Sequence, residues 1–270
     1  MLLENTKIGF IGSGNMATAL IEGLLANGVN AARLWASDPD ETKLDLFAQR
    51  GVSTSLANND VLDNCDVVVL AVKPQVMKPV LSGLRTVHKP LLISIAAGIQ
   101  LDSLEQWTGK HQAIIRCMPN TPALVRAGAT GAVANAHVKP AQKQIADAIL
   151  KAVGIVCWLD KEEQLDAVTA LSGSGPAYFF LMMEAMQAAG ARLGLPKDVA
   201  NALTLQTAFG SAKLALQSDV DAAELRRRVT SPNGTTEAAI KQFESESFRD
   251  LVDRALGKAA ARSKELAAGK

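Results

Sequence analysis

A glycine-rich segment near the N terminus has the residue types that bind the pyrophosphate of a dinucleotide. Residues 12–17 (GSGNMA) follow a strand-like run and precede a helical pattern that extends to Asn27. The first glycine permits a tight turn, Gly14 lets the backbone approach the pyrophosphate, and Ala17 lets the helix pack on the strand. The free N–H groups of the helix N terminus would then face the phosphates. The alternative is a strand-to-helix turn that binds no ligand.

An acidic residue after the second strand-like run bears on the choice of cofactor. Asp38 lies about 20 residues after the glycine segment, where an acid usually accepts hydrogen bonds from the adenosine ribose and favours NAD over NADP. No arginine follows it directly to bind a 2′-phosphate, although Thr42 and Lys43 are close in sequence. An ordinary Asp-Pro turn is the alternative. NADH and NADPH therefore both remain open.

Three further segments stand where predicted strands end, and ligands of parallel sheets bind at that edge. They are residues 71–75 (AVKPQ), 96–98 (AAG) and 118–122 (MPNTP). Asn120 can both donate and accept hydrogen bonds. Each segment by itself could be a structural turn. Their convergence on one edge favours a binding site.

Two segments in the second half place glycines and hydroxyl residues just before helical patterns. They are residues 172–177 (SGSGPA) and 229–236 (VTSPNGTT). Thr235 or Thr236 could be a helix N-cap. Alternatively, exposed N–H groups bind a substrate carboxylate while the hydroxyls orient the reacting centre. The spacing leaves both interpretations open.

The elements that must position these segments follow a simple order. Short β-rich runs alternate with helical patterns up to about residue 160, at 7–11, 31–37, 66–72, 91–96, 113–118, 131–134 and 155–158. This alternation predicts an α/β fold with a doubly wound parallel sheet of Rossmann type. Only helical patterns follow. We therefore expect a dinucleotide-binding domain over 1–160 and an all-helical domain over 161–270, which would bind substrate and dimerise.

The overall composition excludes several classes of protein. A formal charge of +1 among 270 residues does not favour nucleic acid or an anionic membrane as a partner. The apolar segment 177–183 is far too short to span a bilayer, and no signal peptide is evident. Three separated cysteines and three separated histidines show no metal-ligand spacing. The expectation is a cytoplasmic protein without a metal.

Five segments, residues 10–16, 71–75, 118–122, 172–177 and 230–236, resemble in order and spacing those of the pyrroline-5-carboxylate reductase family. The resemblance extends from about residue 7 to residue 266. It implies NADPH- or NADH-dependent reduction of 1-pyrroline-5-carboxylate to L-proline, the last step of proline biosynthesis. It also implies a homodimer whose helical domains interlock, so that each active site combines residues of two chains. Rings of dimers occur in the family.

The resemblance also implies roles for individual residues. Thr236 matches the catalytic threonine whose hydroxyl hydrogen-bonds the ring nitrogen of the substrate. The substrate-binding residues are then Ser231, Asn233, Gly234, Thr235 and Thr236. The cofactor-binding residues are Gly12, Ser13, Gly14, Asn15, Met16, Ser37, Asp38, Asn58, Ala71, Val72, Lys73, Pro74, Ala97 and Asn120. Asp38, and Pro39 in place of an arginine, argue against the preference for NADPH that is frequent in the family.

Three competing functions can be weighed on the sequence. Enzymes of the β-hydroxyacid dehydrogenase family resemble one another in using a lysine on the helix after a Gly-x-Gly segment. In this sequence no lysine occurs between Lys161 and Lys197, which argues against that function. A reductase that acts on the six-membered cyclic imine is harder to exclude. Its substrate has one more methylene, and a binding pocket discriminates such substrates by only about 1–3 kcal/mol. A regulatory protein that senses dinucleotides would have no reason to retain hydroxyls at Thr235 and Thr236.

Overall fold

The computed structural model describes residues 2–84, 88–109 and 111–268. The chain forms two compact units. The sheet unit comprises the residues up to Ser174 together with those from Ala259 onward, and the helical unit comprises Gly175–Lys258. This division falls later than the boundary predicted at 160/161, and the domain limits of the sequence remain a prediction.

The sheet unit is built on one sheet, which confirms the predicted α/β fold of Rossmann type. Its described strands are β1 (Ile8–Ile11), β2 (Leu34–Ser37), β3 (Ser53–Ser55), β4 (Val67–Leu70), β5 (Leu91–Ser94), β6 (Ile114–Met118), β7 (Gly128–Ala134) and β8 (Gly154–Trp158). The strand order is β3-β2-β1-β4-β5-β6-β7-β8. All neighbouring strands pair in parallel except β6 and β7, which are antiparallel.

Six described α-helices of the sheet unit lie between strands in the sequence, and a seventh follows β8. They are α1 (Asn15–Ala26), α2 (Glu41–Gln49), α3 (Asn58–Asn64), α4 (Pro74–Gly83), α5 (Leu101–Thr108), α6 (Pro140–Leu150) and α7 (Gln164–Val168). A π-helical turn, Thr169–Gly173, follows α7. Leu165 of α7 is buried in the core below the sheet, and this contact keeps α7 in the sheet unit.

The central strands carry apolar residues on both faces because both faces are covered. In β4, Val67 and Val69 pack with Leu20 and Leu24 of α1 on one side, within a cluster that also includes α2 and α6. Leu70 joins the second cluster, which α3, α4, α5 and α7 cover. The continuous apolar run of residues 66–72 is typical of a strand buried on both faces, and the structure confirms this burial.

Two features of the sheet differ from the parallel sheet that the alternation of strands and helices predicted. β7 is antiparallel to β6 because only a short 3-10 turn, Thr121–Val125, joins them, whereas a parallel pair needs a crossover of about a dozen residues. The sequence analysis also missed β3, a three-residue strand at the sheet edge. Its Ser-Thr-Ser sequence carries no apolar alternation.

The helical unit consists of five described helices, as the helical patterns after residue 160 predicted. They are α8 (Gly175–Arg192), α9 (Lys197–Gln217), α10 (Ala222–Arg228), α11 (Thr235–Ser245) and α12 (Phe248–Ala267). α12 begins in the helical unit, and its last turns, from Ala259, belong to the sheet unit. Among the residues that the structure describes, no helix is long and apolar enough to cross a membrane.

Two helical glycines give a matched test of packing. A Cβ at Gly23 of α1 would lie 2.7 Å from the Ala152 carbonyl oxygen, whereas a Cβ at Gly257 of α12 would meet no atom within 4 Å. We expect Gly23→Ala to lower the free energy of unfolding by about 1–3 kcal/mol because it overpacks the core. Gly257→Ala should raise it by about 0.5–1 kcal/mol through helix propensity. Denaturant unfolding measures both, and equal effects of the two substitutions would contradict the packing seen at Gly23.

Candidate functional site

The glycine loop begins with a turn that requires Gly12. Its backbone φ is +96°, a left-handed conformation that favours glycine. The Gly12 N–H donates to the Ser37 carbonyl at 2.8 Å, and a Cβ at Gly12 would lie 2.9 Å from the carbonyl carbon and oxygen of Ala71. The turn thus brings the carboxyl ends of β1, β2 and β4 into contact, which agrees with its predicted role.

Gly14 leaves the start of α1 open. It is the N-cap residue of α1, has no side-chain cap, and accepts the first helical hydrogen bond from Thr18 N–H at 3.0 Å. A Cβ at Gly14 would meet no protein atom within 4 Å. The N–H groups of the first turn, at Asn15 and Met16, have no acceptor within the helix. Open space beside unused N–H donors fits a pyrophosphate.

Asp38 is bound by protein donors on both of its carboxylate oxygens. Its Oδ2 accepts from Ser13 Oγ–H at 2.8 Å and Ser13 N–H at 3.1 Å. Its Oδ1 accepts from Asp40 N–H at 3.0 Å and lies 3.5 Å from Lys43 Nζ. Three hydrogen bonds and one ion pair thus engage this carboxylate. Asp38, which is only 8% exposed, therefore fastens the glycine loop to the end of β2.

These partners also set the ionisation of Asp38. Burial opposes the charged form, but the hydrogen bonds from Asp40 and Ser13 and the charge of Lys43 outweigh it, so the pKa of Asp38 lies below its ordinary value. The carboxylate is thus ionised at neutral pH without a ribose. Its assignment as a ribose ligand stays a prediction, because a ribose hydroxyl would have to displace one of these donors.

Ser37 and Asn58, which the resemblance places in the cofactor cleft, contact each other. Ser37 Oγ–H, at the end of β2, donates to Asn58 Oδ1 at 2.8 Å, and Asn58 is the first residue of α3. Ser37 is fully buried. The pair closes the cleft edge between β2 and α3.

The segment after β4 is also fixed next to the glycine loop. Ala71 N–H donates to the Ile11 carbonyl at 2.8 Å, and Val72 Cγ1 would lie 3.0 Å from a Cβ on Gly12. Lys73 is the N-cap residue of α4, and Pro74 occupies its first position, where a missing N–H costs nothing. The predicted cofactor residues 71–74 therefore stand beside Gly12.

Asn120 connects three parts of the sheet unit. Its Oδ1 accepts from Ala129 N–H at 2.8 Å, and its Nδ2–H donates to the Ser172 carbonyl at 3.0 Å. The side chain is 9% exposed. It therefore holds the loop after β6 against β7 and the π-helical turn, and its predicted contact with cofactor remains untested.

The loop before α11 is a compact turn in the helical unit. Gly234 N–H donates to the Ser231 carbonyl at 3.0 Å, and Thr230 Oγ1–H donates to the Arg226 carbonyl at 2.6 Å. Asn233 has φ +59°, and its N–H donates to Glu237 Oε2 at 2.8 Å. That hydrogen bond and the Lys241 ammonium hold the pKa of Glu237 below its ordinary value.

The N-cap of α11 is Gly234 and not a threonine. It makes no side-chain cap, so the first-turn N–H groups lack a side-chain acceptor. The interpretation of Thr235 or Thr236 as the N-cap is therefore wrong, because both residues already lie inside the helix. Their hydroxyls stand in the first turn, next to the uncapped donors.

Cys117 on β6 has no reactive character. It is 1% exposed, and burial strongly raises the pKa of its thiol. Cys65 behaves similarly, with burial and the charge of Asp66 raising its pKa to about 12. Both thiols are therefore protonated at neutral pH.

The sequence analysis missed one polar cluster of the sheet unit. Glu162 pairs with the buried Arg116 at 2.5 Å and accepts from Leu101 N–H at 2.8 Å. Asp166 accepts from Ser263 Oγ–H at 2.7 Å across 97 positions of sequence. No local pattern signals these contacts, since each one joins distant segments.

Two family descriptions match parts of the chain. Residues 162–266 match "Pyrroline-5-carboxylate reductase dimerisation". Residues 7–98 match "NADP oxidoreductase coenzyme F420-dependent".

Similar proteins extend over nearly the whole chain. A pyrroline-5-carboxylate reductase of Pseudomonas aeruginosa is 55% identical over 98% of both chains, and one of Pisum sativum is 36% identical over 98% of both chains. The structure of a pyrroline-5-carboxylate reductase from Coxiella burnetii has a TM-score of 0.94 at 47% identity, covering 97% of this chain and 99% of that one. A Plasmodium falciparum pyrroline carboxylate reductase with NADP bound has a TM-score of 0.84 at 33% identity, covering 98% and 99%.

The role of Asp38 can be tested with Asp38→Asn and with Asp45→Asn, an exposed control on α2. The amide presents a donor where Ser13 or Asp40 N–H needs an acceptor, so we expect a loss of about 1–3 kcal/mol in unfolding free energy at pH 7. Because the folded-state pKa of Asp38 is depressed, this difference should disappear as pH falls below about 4.

The same variant separates the two roles in cofactor binding. If Asp38 supports the glycine loop, NADH and NADPH should both bind more weakly to Asp38→Asn, by similar factors, in fluorescence titrations. A loss restricted to NADH would instead identify Asp38 as a ribose ligand.

Proposed function

The chain belongs to the pyrroline-5-carboxylate reductase family, and on that basis we propose that it reduces 1-pyrroline-5-carboxylate to L-proline with NADPH or NADH. The observation that carries the proposal is the uncapped N terminus of α11, with threonine hydroxyls at its first two positions. This arrangement offers N–H donors for a carboxylate and hydroxyls for a ring nitrogen. The reaction would complete proline biosynthesis.

The glycine loop would hold the cofactor. The open N terminus of α1 at Gly14 would bind the pyrophosphate, and residues 71–74 and Ala97 would line the rest of the cleft. A bound reduced nicotinamide supplies the hydride. The residues of the chain bind and orient the cofactor, and those named here contribute no acid or nucleophile.

The substrate would be held by the loop before α11. Its carboxylate would accept from the first-turn N–H groups and from Ser231, where the positive end of the helix dipole favours an anion. Asn233 and Gly234 shape the turn that exposes these donors. Thr235 and Thr236 place hydroxyls beside them.

A protonated cyclic imine requires little further catalysis. It is already an electrophile, so placing its C5 next to the hydride donor supplies most of the rate enhancement. The product amine keeps the proton that the imine nitrogen carried, and the Thr236 hydroxyl would orient that nitrogen by a hydrogen bond. This account fits loops that carry hydroxyls and backbone donors.

Neither cofactor is disfavoured by the geometry at the end of β2. Asp38 accepts three hydrogen bonds from protein donors, which weakens the argument that it selects NADH. The half-exposed Lys43 lies beside it, as a cation that a 2′-phosphate could attract. We therefore propose that both NADPH and NADH serve as cofactors.

We also propose that the helical unit forms a homodimer. Of α8, α9, α10 and α11, the described buried residues are only Gly175, Ala200 and Thr204. Phe179 is 69% exposed and Phe209 is 61% exposed. A groove of about 880 Å³ is lined largely by apolar side chains, among them Met182, Met186, Leu193, Ile240, Phe243 and Val252. Such apolar surface marks a protein interface.

A ring of dimers, a small-molecule partner and a cytoplasmic location are further proposals. A ring of dimers would use further surfaces of the same unit. A net charge of +1 supports a partner that is a small molecule and not a nucleic acid. The cytoplasm is the location that unpaired, separated cysteines favour.

The proposal is tested by the loss of NADPH or NADH absorbance with imine substrates. We expect oxidation of both cofactors with 1-pyrroline-5-carboxylate and slower oxidation with the six-membered piperideine carboxylate, since one methylene is worth about 1–3 kcal/mol. A hydroxy acid with the oxidised cofactor should give no turnover. If neither imine were reduced, the proposed reaction would be wrong.

In the same assay, Thr236→Ala should lower turnover by about 10-fold to 100-fold, as expected for a lost hydrogen bond to a charged nitrogen. Folding should be unaffected because alanine is a good helix former. Thr236→Ser, which keeps the hydroxyl, is the matched control and should retain most activity. Equal turnover of the alanine variant and the parent would remove Thr236 from the mechanism.

Dimerisation is tested by charging the apolar surface. Analytical ultracentrifugation of the parent should give about twice the 28.4 kDa chain mass. Phe209→Glu should shift the protein toward monomer, because an interface would have to bury an unpaired carboxylate. Gln144→Glu, an exposed change of equal charge on α6 of the sheet unit, should leave the dimer intact. A monomeric parent at micromolar concentration would rule the dimer out.

A further inference from the structure

We propose that the last turns of α12, together with Glu162 and Asp166, position the loop between β5 and α5 and thereby set the affinity for the cofactor. This inference rests on the proposed function, in which that loop, residues 95–100, lines the dinucleotide cleft. Ser263, Leu266 and Glu162 would be positioning residues, since none of them needs to touch the cofactor.

The loop lies at the sheet edge where cofactor is expected. β5 stands between β4 and β6, so its carboxyl end adjoins the segments 71–75 and 118–122. Ile95 N–H donates to the Leu70 carbonyl at 3.3 Å, a long hydrogen bond. Residues 97 and 98 form a turn in which Gly98 adopts φ +75°. Two contacts from elsewhere in the chain position this turn.

Glu162 supplies one of these contacts. Its Oε1 accepts from Leu101 N–H at the start of α5 and pairs with the Arg116 guanidinium on β6. Arg116 is only 6% exposed, so its charge must be matched by an anion. The carboxylate also stands at the positive end of the α5 dipole. One side chain thus fixes where the loop ends and α5 begins.

The end of α12 supplies the second contact. Leu266 lies next to Gly98, since a Cβ added at Gly98 would be 3.7 Å from the backbone carbon, carbonyl oxygen and Cβ of Leu266. Ser263 is one helical turn earlier, is 7% exposed and donates to Asp166 Oδ1 at 2.7 Å. Asp166 in turn follows Glu162 by four residues. The loop, α12 and the α7 segment therefore form a closed series of contacts.

This series of contacts connects the Ser263 hydroxyl to the loop of residues 95–100. Ala97 precedes Gly98, so a shift of α12 away from Gly98 would loosen the residue proposed to contact cofactor. Binding geometry is lost when a supporting shell is loose by about 1 Å. The expected consequence is weaker cofactor binding with little change in the binding of substrate.

The test compares Ser263→Ala with Lys264→Ala, an exposed change at the next position of α12. Titration of NADPH fluorescence should show a dissociation constant about 3-fold to 10-fold higher for Ser263→Ala, which corresponds to the loss of one hydrogen bond. The KM for NADPH should rise by a similar factor while the KM for 1-pyrroline-5-carboxylate stays the same. Lys264→Ala should match the parent, and Ser263→Thr, which keeps the hydroxyl, should restore tight binding.

A further measurement keeps the proposal independent of catalysis and of folding defects. Hydrogen exchange of the peptide 95–101 should accelerate in Ser263→Ala even without cofactor. Unchanged exchange there, or equal effects of Ser263→Ala and Lys264→Ala, would overturn the positioning role. A parent that binds NADPH and reduces no imine would instead overturn only the proposed reaction.

Discussion

The close approach of three parallel strand ends at Gly12 is the constraint on which the cofactor half of this protein depends. The N–H of Gly12 reaches the Ser37 carbonyl, and there is no room for a Cβ beside the Ala71 carbonyl. The positive φ that this turn requires costs glycine little. Because the turn is so tight, α1 begins directly at the strand end, and its N-terminal donors face open space at Gly14. A wider turn would move those donors away from the edge where β4 and β5 end.

Two carboxylates hold loops at this edge of the sheet. Asp38 binds the glycine loop through Ser13, and Glu162 binds the start of α5 and the Arg116 guanidinium. Each accepts from several donors of the protein. Both carboxylates therefore serve to position loops.

The helical unit shows the opposite physical situation, since one copy cannot bury its own apolar surface. The apolar content of α9 is high around the whole helix, a pattern typical of burial on more than one face. In the single chain, Phe209 and Leu216 of that helix are largely exposed, and the two apolar clusters of the described residues both lie in the sheet unit. This exposed apolar surface supports the proposed interface with a second copy.

The sequence by itself determined the central strands, their alternation with helices and the glycine loop, because these follow from short-range periodicity and from backbone sterics at single glycines. Only the tertiary structure decided that β7 reverses direction, that Asp38 accepts three hydrogen bonds from the protein and that Gly234 is the N-cap residue of α11. It also brought Ser263 to Asp166 and Leu266 to Gly98. Such pairs join residues many positions apart, and no local pattern of residue types carries information about which distant donor will meet which acceptor.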